Sequence, residues 1–357
     1  MKEIIKNRGS IYYNSSSWKT FNKELEKINP SKVFVITDTN TKKLCIPLFL
    51  EHYRFQIKPE ILEIPEGETH KNIQTCLSLW NELSEKGADR HSLIINLGGG
   101  VVTDLGGFVA STFKRGIEFI NIPTSLLAMV DASVGGKNGV DLGLIKNQIG
   151  VINNPAMVII DTQFLKTLPD NQKTSGYAEM LKHGLIHSKE YWSKIKGLNE
   201  SKIEAIEELL WESVIIKNAI VTQDPFENGI RKTLNYGHTL GHAIESYSLS
   251  KNDLKPLLHG EAIAIGMILT TYISSKILGF PEDTLEDVSN SITEKFLKIS
   301  FNKLDIEEII KLLIYDKKNT SGKVMFVLLK DIGIPKINCE VPNEYLIEAF
   351  DYYKNYK

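Results

Sequence analysis

The first 170 residues alternate short apolar runs with longer amphipathic segments, and this alternation limits the chain to few folds. The runs rich in strand-forming residues are VFVIT (33–37), ILEIP (61–65), LIINL (93–97), FINIP (119–123) and MVIID (157–161). Amphipathic segments such as Ile73–Lys86 and Val101–Thr112 fall between some of them. Because parallel strands are apolar throughout and need crossover helices, the pattern predicts a mostly parallel sheet within an α/β domain.

The chain changes character near residue 170, where strand-like runs nearly vanish. VMFVLL (324–329) is the late exception. Long amphipathic segments predict helices over 176–188, 202–222, 231–247, 260–277, 283–296, 306–315 and 343–353. Since 357 residues are too many for one ordinary domain, we expect an α/β domain over 1–170 and an all-α domain over 171–357. Pro169 and the polar residues after it are the predicted hinge.

Composition excludes several classes of protein. Lys and Arg total 42 against 44 Asp and Glu, so the net charge is −2, which argues against nucleic-acid binding. No apolar run approaches the roughly 18 residues of a membrane span, and the N-terminus lacks the apolar core of a secretory signal. Cys45, Cys76 and Cys339 lie far apart, which is typical of buried thiols in a reducing compartment. We expect a cytoplasmic protein.

A glycine-rich turn, LIINLGGGVVTDLGGF, follows the third predicted strand. Gly98–Gly100 would let the backbone approach a diphosphate, and the helix that follows would offer N–H donors and the positive end of its dipole. The run departs from the GxGxxG dinucleotide fingerprint because Thr103 replaces its last glycine. A tight strand-to-helix turn without a ligand is the alternative interpretation.

A second glycine-rich segment, DASVGGKNGVDLGLIKN (131–147), carries charged and amide side chains. Asp131, Lys137, Lys146 and Asn147 are its candidate ligand-binding residues. The lysines on an irregular backbone would suit an anion-binding loop, and an ordinary solvated loop would have the same composition.

The segment RKTLNYGHTLGHAIE (231–245) predicts the most distinctive polar surface. As one helix, it would align Arg231, Asn235, His238, His242 and Glu245 in a single stripe where a core helix carries leucines. Histidines four residues apart can bind one metal ion, or one can bind the metal while the other binds an anion or moves protons. The spacing leaves both possibilities open.

Two flanking helices supply further candidate ligands. Glu179 and Lys182 lie on adjacent turns of SGYAEMLKHGLI, and His259 precedes an apolar helix in LLHGEAIAIGM. A carboxylate in an apolar helix needs a partner, since a buried charge is costly without one. A histidine in front of a helix is otherwise a capping or surface residue.

These motifs together resemble the 3-dehydroquinate synthase family. The resemblance runs in unchanged order from about Asp38 to about Lys330 and rests on GGGVVTDLGGFVAST, KRGIEFINIPTSLLAMVDASVGGKNGVD, KNQIG, GYAEMLKHGLI, RKTLNYGHTLGHAIE and HGEAIAIGM. It implies the dehydroquinate synthase-like fold, with an NAD-binding α/β domain followed by a helical domain that binds metal and substrate.

Transferred position by position, the resemblance implies three sets of site residues. The ligands of a catalytic zinc or cobalt ion would be Glu179, His238 and His259. The NAD contacts would be Asp38, Asn40, Glu66, Gly67, Glu68, Thr69, His70, Lys71, Gly100, Val101, Val102, Thr103, Asp104, Thr124, Ser125, Lys137, Lys146, Phe164, Leu165, Lys166 and Thr167. The substrate and catalytic residues would be Arg115, Asp131, Lys137, Asn147, Lys182, Lys217, Arg231, Asn235, His242 and one of Lys317 and Lys318.

The resemblance also implies a reaction and an assembly. The enzyme would convert 3-deoxy-D-arabino-heptulosonate 7-phosphate to 3-dehydroquinate and phosphate, by NAD-dependent oxidation, phosphate elimination, reduction and intramolecular aldol closure. It would be a homodimer in which Arg115 reaches the phosphate bound by the neighbouring subunit. The alternatives are a sister cyclase of the 2-deoxy-scyllo-inosose synthase type, a metal-dependent polyol dehydrogenase, and a non-catalytic NAD-binding protein.

Overall fold

The computed structural model describes residues 2–143, 145–200, 202–251, 256–313 and 324–356. The chain divides into two compact units, Met1–Lys173 and Thr174–Lys357. The N-terminal unit combines a parallel sheet with helices, and the C-terminal unit is mainly helical. The α/β part and the helical part of the predicted fold are therefore both confirmed.

A seven-stranded sheet forms the centre of the N-terminal unit. The strands of the unit are β1 (Glu3–Ile4), β2 (Ser10–Tyr13), β3 (Val33–Asp38), β4 (Glu60–Ile64), β5 (Leu93–Gly98), β6 (Glu118–Pro123), β7 (Lys137–Leu142), β8 (Ile145–Ile152) and β9 (Met157–Ile160). The order in the sheet is β1-β2-β9-β6-β5-β3-β4, and only the β1–β2 pair is antiparallel. All five predicted strands lie in this sheet. The short strands β1 and β2 were not predicted.

The sheet is covered by helices whose apolar positions recur at helical spacing. The helices are α1 (Ser17–Ile28), α2 (Thr39–Leu44), α3 (Ile46–His52), α4 (Ile73–Glu85) and α5 (Gly100–Thr112). In α4, Cys76, Leu79 and Leu83 are buried in one core cluster, and the Asn72 side chain caps the helix by accepting a hydrogen bond from Thr75 N at 3.0 Å. Both predicted helices of this unit are confirmed.

The glycine-rich segment 131–147 is a β-ribbon over most of its length. It begins in a single π-helical turn, Ala128–Ala132, and continues into β7 and β8, which pair antiparallel. The expectation of a loop was therefore wrong. Gly139 lies opposite Gly150, so two residues that weaken a strand pattern in the sequence allow the close approach of these strands.

The three cysteines are free and buried, as the sequence predicts. Burial raises the pKa of the Cys45 thiol to about 11 and that of Cys76 to about 12. These thiols therefore stay protonated at neutral pH and act as small core side chains.

Helices and one ribbon form the C-terminal unit. They are α6 (Asp170–His187), α7 (Lys189–Ile195), α8 (Ile203–Gln223), α9 (His238–Ser250), α10 (His259–Leu278), α11 (Glu282–Thr293), α12 (Lys303–Leu312), β10 (Met325–Asp331), β11 (Ile334–Glu340) and α13 (Asn343–Asn355). Strand β10 includes most of the strand-like run predicted at 324–329. Its antiparallel partner β11 was not predicted. Helix α6 begins at Asp170, so it continues through the predicted hinge segment.

Helix α10 is long and apolar enough to cross a membrane by length and composition, although its sequence contains no uninterrupted apolar run of that length. Most of it is buried inside the protein, where it packs against α9, α11, α13 and β10. A buried core helix passes the same test of length and composition.

The segment 231–247 is not one helix. Ile230–Asn235 forms a 3-10 helix, Gly237 adopts a left-handed conformation with φ 75°, and α9 begins at His238. A left-handed residue cannot continue a right-handed helix, so the expectation of a single polar stripe was wrong. Arg231 and Asn235 lie before the break, and His238, His242 and Glu245 lie after it.

Candidate metal and nucleotide sites

The first residues of α10 pack directly against α6 because residue 260 has no side chain. A Cβ atom at Gly260 would lie 1.9 Å from the carbonyl oxygen of Ser175. The Gly260 N–H donates instead to the Ser175 hydroxyl at 2.9 Å. His259, the first residue of α10, is thereby fixed beside the helix that carries Glu179.

Helices α9 and α10 approach each other closely at the start of α9. A Cβ atom at Gly237 would lie 2.7 Å from Cγ of Met267, and one at Gly266 would lie 2.1 Å from the Gly237 carbonyl oxygen. His238 follows this contact immediately. The two close approaches therefore fix the start of α9 against the middle of α10.

We expect Gly260→Ala to lower the free energy of unfolding by about 1–3 kcal/mol, because the added methyl group must displace the backbone of α6. Chemical denaturation of the full chain measures this change. Gly197→Ala is the matched control, since no atom lies within 4 Å of a Cβ at that position and its φ is not positive. Equal stability of the two variants would contradict the close packing of α10 on α6.

The three predicted metal ligands lie together in the C-terminal unit. Glu179 is completely buried, and its Oε1 lies 3.3 Å from Nε2 of His238 and 3.4 Å from Nε2 of His259. His238 is buried and His259 is half-buried. One carboxylate oxygen thus faces a ring nitrogen from each of two helices.

The second nitrogen of each of these histidines has its own acceptor. His238 Nδ1 lies 3.1 Å from the carbonyl oxygen of Tyr236, and His259 Nδ1 lies 3.0 Å from Oε2 of Glu245. Donation from Nδ1 in both rings would leave each Nε2 lone pair available to a cation on the Glu179 side.

The charges of the site are set by burial and by neighbouring groups. Burial opposes ionisation of Glu179, but Lys182 and His238 outweigh it and hold the pKa of the carboxyl well below its usual range. Burial, reinforced by Lys182, lowers the pKa of His238. The Lys182 ammonium group forms an ion pair with Oε2 of Glu179. The site therefore holds an ionised carboxylate beside a neutral imidazole.

His242 lies beside the other two histidines. Its ring centroid is 5.2 Å from that of His238 and 5.8 Å from that of His259. One nitrogen from each of the three rings lies within 4.8 Å of the others. The structure therefore offers a second combination of three nitrogen ligands that the resemblance does not imply.

The predicted substrate residues of this unit include three buried cations. Lys182 is 1 % exposed, Arg231 2 % and Lys217 6 %. The Arg231 side chain donates from Nη1 to the Pro225 carbonyl oxygen at 2.6 Å. Buried cations require anionic or strongly polar partners, and within this unit Lys182 has the Glu179 carboxylate.

In the N-terminal unit, the structure brings five predicted residues into one ionic cluster. Lys71 donates to Oδ2 of Asp104 and to Oδ1 of Asn147, each at 2.6 Å. Lys146 donates to Oε1 of Glu68 at 2.7 Å. Burial opposes the charge of Lys71, but Asp104 and Glu68 outweigh it and raise its pKa. Asn147, predicted for substrate, thus shares a cluster with residues predicted for NAD.

The glycine turn between β5 and α5 has the predicted arrangement. Gly99 precedes the first residue of α5, and Asp104 lies in the second turn of that helix. The Thr103 hydroxyl donates to the carbonyl oxygens of Gly99 and Gly100, at 3.3 and 3.2 Å, so threonine fits the helix here without a break.

The remaining predicted residues of this unit lie at the ends of strands and in short helical turns. Asp38 caps α2 by accepting a hydrogen bond from Thr41 N at 2.8 Å. The other positions lie in α2 (Asn40), in the turn and 3-10 helix after β4 (Glu66, Gly67, Thr69, His70), in the first turn of α5 (Val101, Val102), after β6 (Thr124, Ser125), in the π-helical turn (Asp131), in β7 (Lys137), in the 3-10 helix Phe113–Arg115 (Arg115) and in the 3-10 helix Thr162–Thr167 (Phe164, Leu165, Lys166, Thr167).

Besides Glu245, the structure adds two carboxylates that the transferred residue sets do not contain. Asp141 accepts a hydrogen bond from Asn147 N at 2.7 Å and lies 3.5 Å from the Lys146 ammonium group. Glu227 accepts a hydrogen bond from the Asn235 amide at 2.7 Å. Both are close in sequence to predicted residues, which is the only signal that could have indicated them. Lys317 and Lys318 lie outside the described residues.

Comparison with known families identifies the chain. The sequence model for the 3-dehydroquinate synthase N-terminal domain matches residues 61–175, and the model for the C-terminal domain matches residues 176–319. The chain belongs to the 3-dehydroquinate synthase family. The 3-dehydroquinate synthase of Parabacteroides distasonis is 43% identical to this family member over 332 residues, which are 92% of this chain and 93% of that protein.

Solved structures share the fold of this dehydroquinate synthase family member. A 2-deoxy-scyllo-inosose synthase complexed with carbaglucose-6-phosphate, NAD+ and Co2+ superimposes with a TM-score of 0.85 at 24% identity, over 98% of each chain. The 2-epi-5-epi-valiolone synthase ValA from Streptomyces hygroscopicus, with NAD+ and Zn2+ bound, gives a TM-score of 0.84 at 23% identity, over 100% of this chain and 99% of ValA. At this identity the likeness concerns the fold.

Proposed function

We propose that the protein is a 3-dehydroquinate synthase, which converts 3-deoxy-D-arabino-heptulosonate 7-phosphate to 3-dehydroquinate and phosphate with NAD and a divalent metal. The observation that carries the proposal is the buried Glu179 carboxylate facing Nε2 of His238 and His259. Family membership supports the choice of substrate and reaction.

The spacing of the three ligand atoms fits a metal ion. Two ligands at about 2.0–2.1 Å from a tetrahedral zinc lie about 3.3–3.4 Å apart. The distances from Glu179 Oε1 to the two Nε2 atoms are 3.3 and 3.4 Å. Glu179, His238 and His259 would therefore hold zinc or cobalt. Two histidines and one carboxylate leave coordination positions for substrate oxygens.

The buried cations of the C-terminal unit are proposed to bind the anionic ends of the substrate. A carboxylate and a phosphate in a site shielded from water each need several donors. Lys182, Lys217 and Arg231 supply positive charge, and Asn235 adds an amide donor. We assign His242 to the phosphate rather than to the metal, because Glu179 already completes the ligand set. Arg115, Asp131, Lys137 and Asn147 are the proposed substrate residues of the other unit.

NAD is proposed to bind the N-terminal unit, where the glycine turn offers backbone N–H groups at the start of α5. Lys71 and Lys146 are fixed by Asp104 and Glu68 and would orient polar groups of the cofactor. When bound, NAD would take a hydride from the substrate and return it, and the metal would polarise the reacting hydroxyl group. Lys182 holds the Glu179 carboxylate in its ionised form, as ligation requires.

The proposal is tested by offering the purified protein two sugar phosphates and identifying the products. We expect phosphate and 3-dehydroquinate from the heptulosonate phosphate. We expect no phosphate from a carboxylate-free hexose 6-phosphate of the kind that carbaglucose-6-phosphate imitates. The reverse preference would assign the protein to the inosose synthase type. Turnover of a simple polyol alone would assign it to the dehydrogenases.

We also propose a cytoplasmic homodimer in which Arg115 acts on the site of the partner subunit. Arg115 is exposed and has a left-handed backbone conformation with φ 72°, as does Lys114 before it. Two consecutive residues in this strained conformation fix the direction of an exposed arginine, which suits a contact with another chain.

Hybrid dimers test the role of Arg115. We expect Arg115→Ala and Lys182→Ala chains to be nearly inactive separately and to regain activity after mixing under conditions that exchange subunits. The hybrid would contain one complete site, formed by the Lys182 of one chain and the Arg115 of the other. Mixtures that stay inactive, despite subunit exchange shown by native mass spectrometry, would place Arg115 in its own chain's site.

A further inference from the structure

We propose that Glu245 is a positioning residue for the metal site, which holds the His259 ring so that Nε2 points at the metal. The inference rests on the proposed function, because it concerns the ion held by Glu179, His238 and His259. It adds a residue that the transferred ligand and substrate sets do not include.

The geometry places Glu245 behind His259 as seen from Glu179. Glu245 lies on α9 seven residues after His238, which is two turns along the same face of the helix. Its Oε2 lies 3.0 Å from His259 Nδ1, while Nε2 of the same ring lies 3.4 Å from Glu179 Oε1. The two carboxylates therefore contact opposite nitrogens of one imidazole.

Burial makes this contact strong and specific. Glu245 is 4 % exposed, so its carboxylate needs a donor within the protein. His259 Nδ1–H provides one. The hydrogen bond fixes the tautomer in which Nε2 carries the lone pair, and it fixes the rotation of the ring. A negative acceptor also makes Nε2 a stronger metal ligand, as a carboxylate behind a ligating histidine generally does.

His238 offers a comparison within the same site. Its Nδ1 lies 3.1 Å from a neutral acceptor, the Tyr236 carbonyl oxygen, which belongs to the backbone and is held in place by the turn before α9. His259 stands at the start of α10, and its ring is held by a side chain of another helix. His259 therefore depends on Glu245 for an orientation that His238 obtains from its own backbone.

Glu245 does not serve as a fourth ligand in this arrangement. The ring nitrogens of imidazole point in divergent directions, and an ion bound to Nε2 lies on the Glu179 side of His259. The Glu245 oxygen occupies the Nδ1 side. A direct ligand and a positioning residue also predict different metal spectra, because the first changes the number of ligands and the second does not.

The test compares Glu245→Gln and Glu245→Ala in the full-length protein. Each variant is first freed of metal with a chelator and then loaded with Zn2+ or Co2+. Gln keeps an oxygen acceptor for Nδ1 without the charge, whereas Ala removes the acceptor. We expect the Kd for Zn2+, measured by competition with a chromophoric chelator, to rise by about 10- to 100-fold in Glu245→Ala and by less in Glu245→Gln. The intensity of Co2+ absorption depends on the number of ligands. We therefore expect Co2+-loaded Glu245→Gln to absorb as intensely as the Co2+-loaded parent.

Glu200→Gln is the matched control, because Glu200 is also a buried carboxylate of this unit and pairs with a lysine, Lys295, at 3.2 Å rather than with a histidine. Its Zn2+ affinity should equal that of the parent. Parent-like Zn2+ affinity in both Glu245 variants, with binding lost in Glu179→Gln, would overturn the positioning role. A parent protein that binds no Zn2+ or Co2+ would instead overturn the proposed metal site itself. If Glu245→Ala fails to fold, the isosteric Gln variant still decides the matter.

Discussion

Glu179→Gln is expected to abolish metal binding and to lower turnover by at least about a thousandfold, which corresponds to about 4 kcal/mol of transition-state stabilisation. Glutamine keeps the size of the side chain but offers no negative charge to the ion. Oε1 of Glu179 also faces Nε2 of both histidines. Metal content by atomic emission and phosphate release under substrate saturation measure the two effects.

His242→Ala distinguishes this ligand set from the alternative with three histidines. The three rings each offer a nitrogen within 4.8 Å of the others, so a metal held by His238, His242 and His259 is the competing arrangement. We expect His242→Ala to retain one metal ion per chain while its activity falls through weakened phosphate contact. Loss of the metal in His242→Ala and its retention in Glu179→Gln would establish the competing set.

Lys71→Met is expected to destabilise the N-terminal unit by about 3 kcal/mol, because removing one partner leaves the Asp104 carboxylate without its nearest cation. Lys71 is only 4 % exposed and also donates to Asn147. The affinity for NAD should fall more than about tenfold, since the groups that Lys71 orders form the proposed cofactor contact. Thermal unfolding and titration calorimetry with NAD are the measurements.

Lys42→Met is the control for this prediction. Lys42 forms an ion pair with Glu63 at 2.6 Å, but both side chains are exposed, so its loss should cost less than about 1 kcal/mol. The double variant Lys71→Met, Asp104→Asn should recover part of the lost stability, because it removes the unpaired charge as well. Equal stability of the parent and Lys71→Met would contradict the role given to the buried cluster.

The parallel sheet could be predicted from the sequence because its inner strands are buried on both faces. LIINLG of β5 is buried at every position, which a run of apolar residues shows directly. Strand β11 escaped prediction because exposed and half-buried residues alternate along it and Pro335 interrupts the pattern. The ribbon of β7 and β8 escaped because glycines and charged residues there suit a loop equally well.

The site could be predicted in part. Glu179, His238 and His259 lie on three helices that are up to 80 residues apart in sequence, so helical spacing alone could not bring them together, and their grouping came from the family resemblance. The prediction of one polar stripe was wrong because the helix is broken at Gly237. The sequence does not show this break, since it accompanies the close packing of Gly237 against Met267 of another helix. Glu245 was part of the predicted stripe. Its proposed role in holding the His259 ring depends on its contact with a residue of α10, which helical spacing within α9 cannot show.

The most direct test of the proposed function follows phosphate and NADH together during turnover of the heptulosonate phosphate with a trace of NAD. A synthase returns the hydride within each cycle, so we predict phosphate release far in excess of the NAD present, with no accumulation of NADH. Chelation should stop the reaction, and added Zn2+ or Co2+ should restore it. NADH formed in step with product, or full activity in the metal-free protein, would contradict the account.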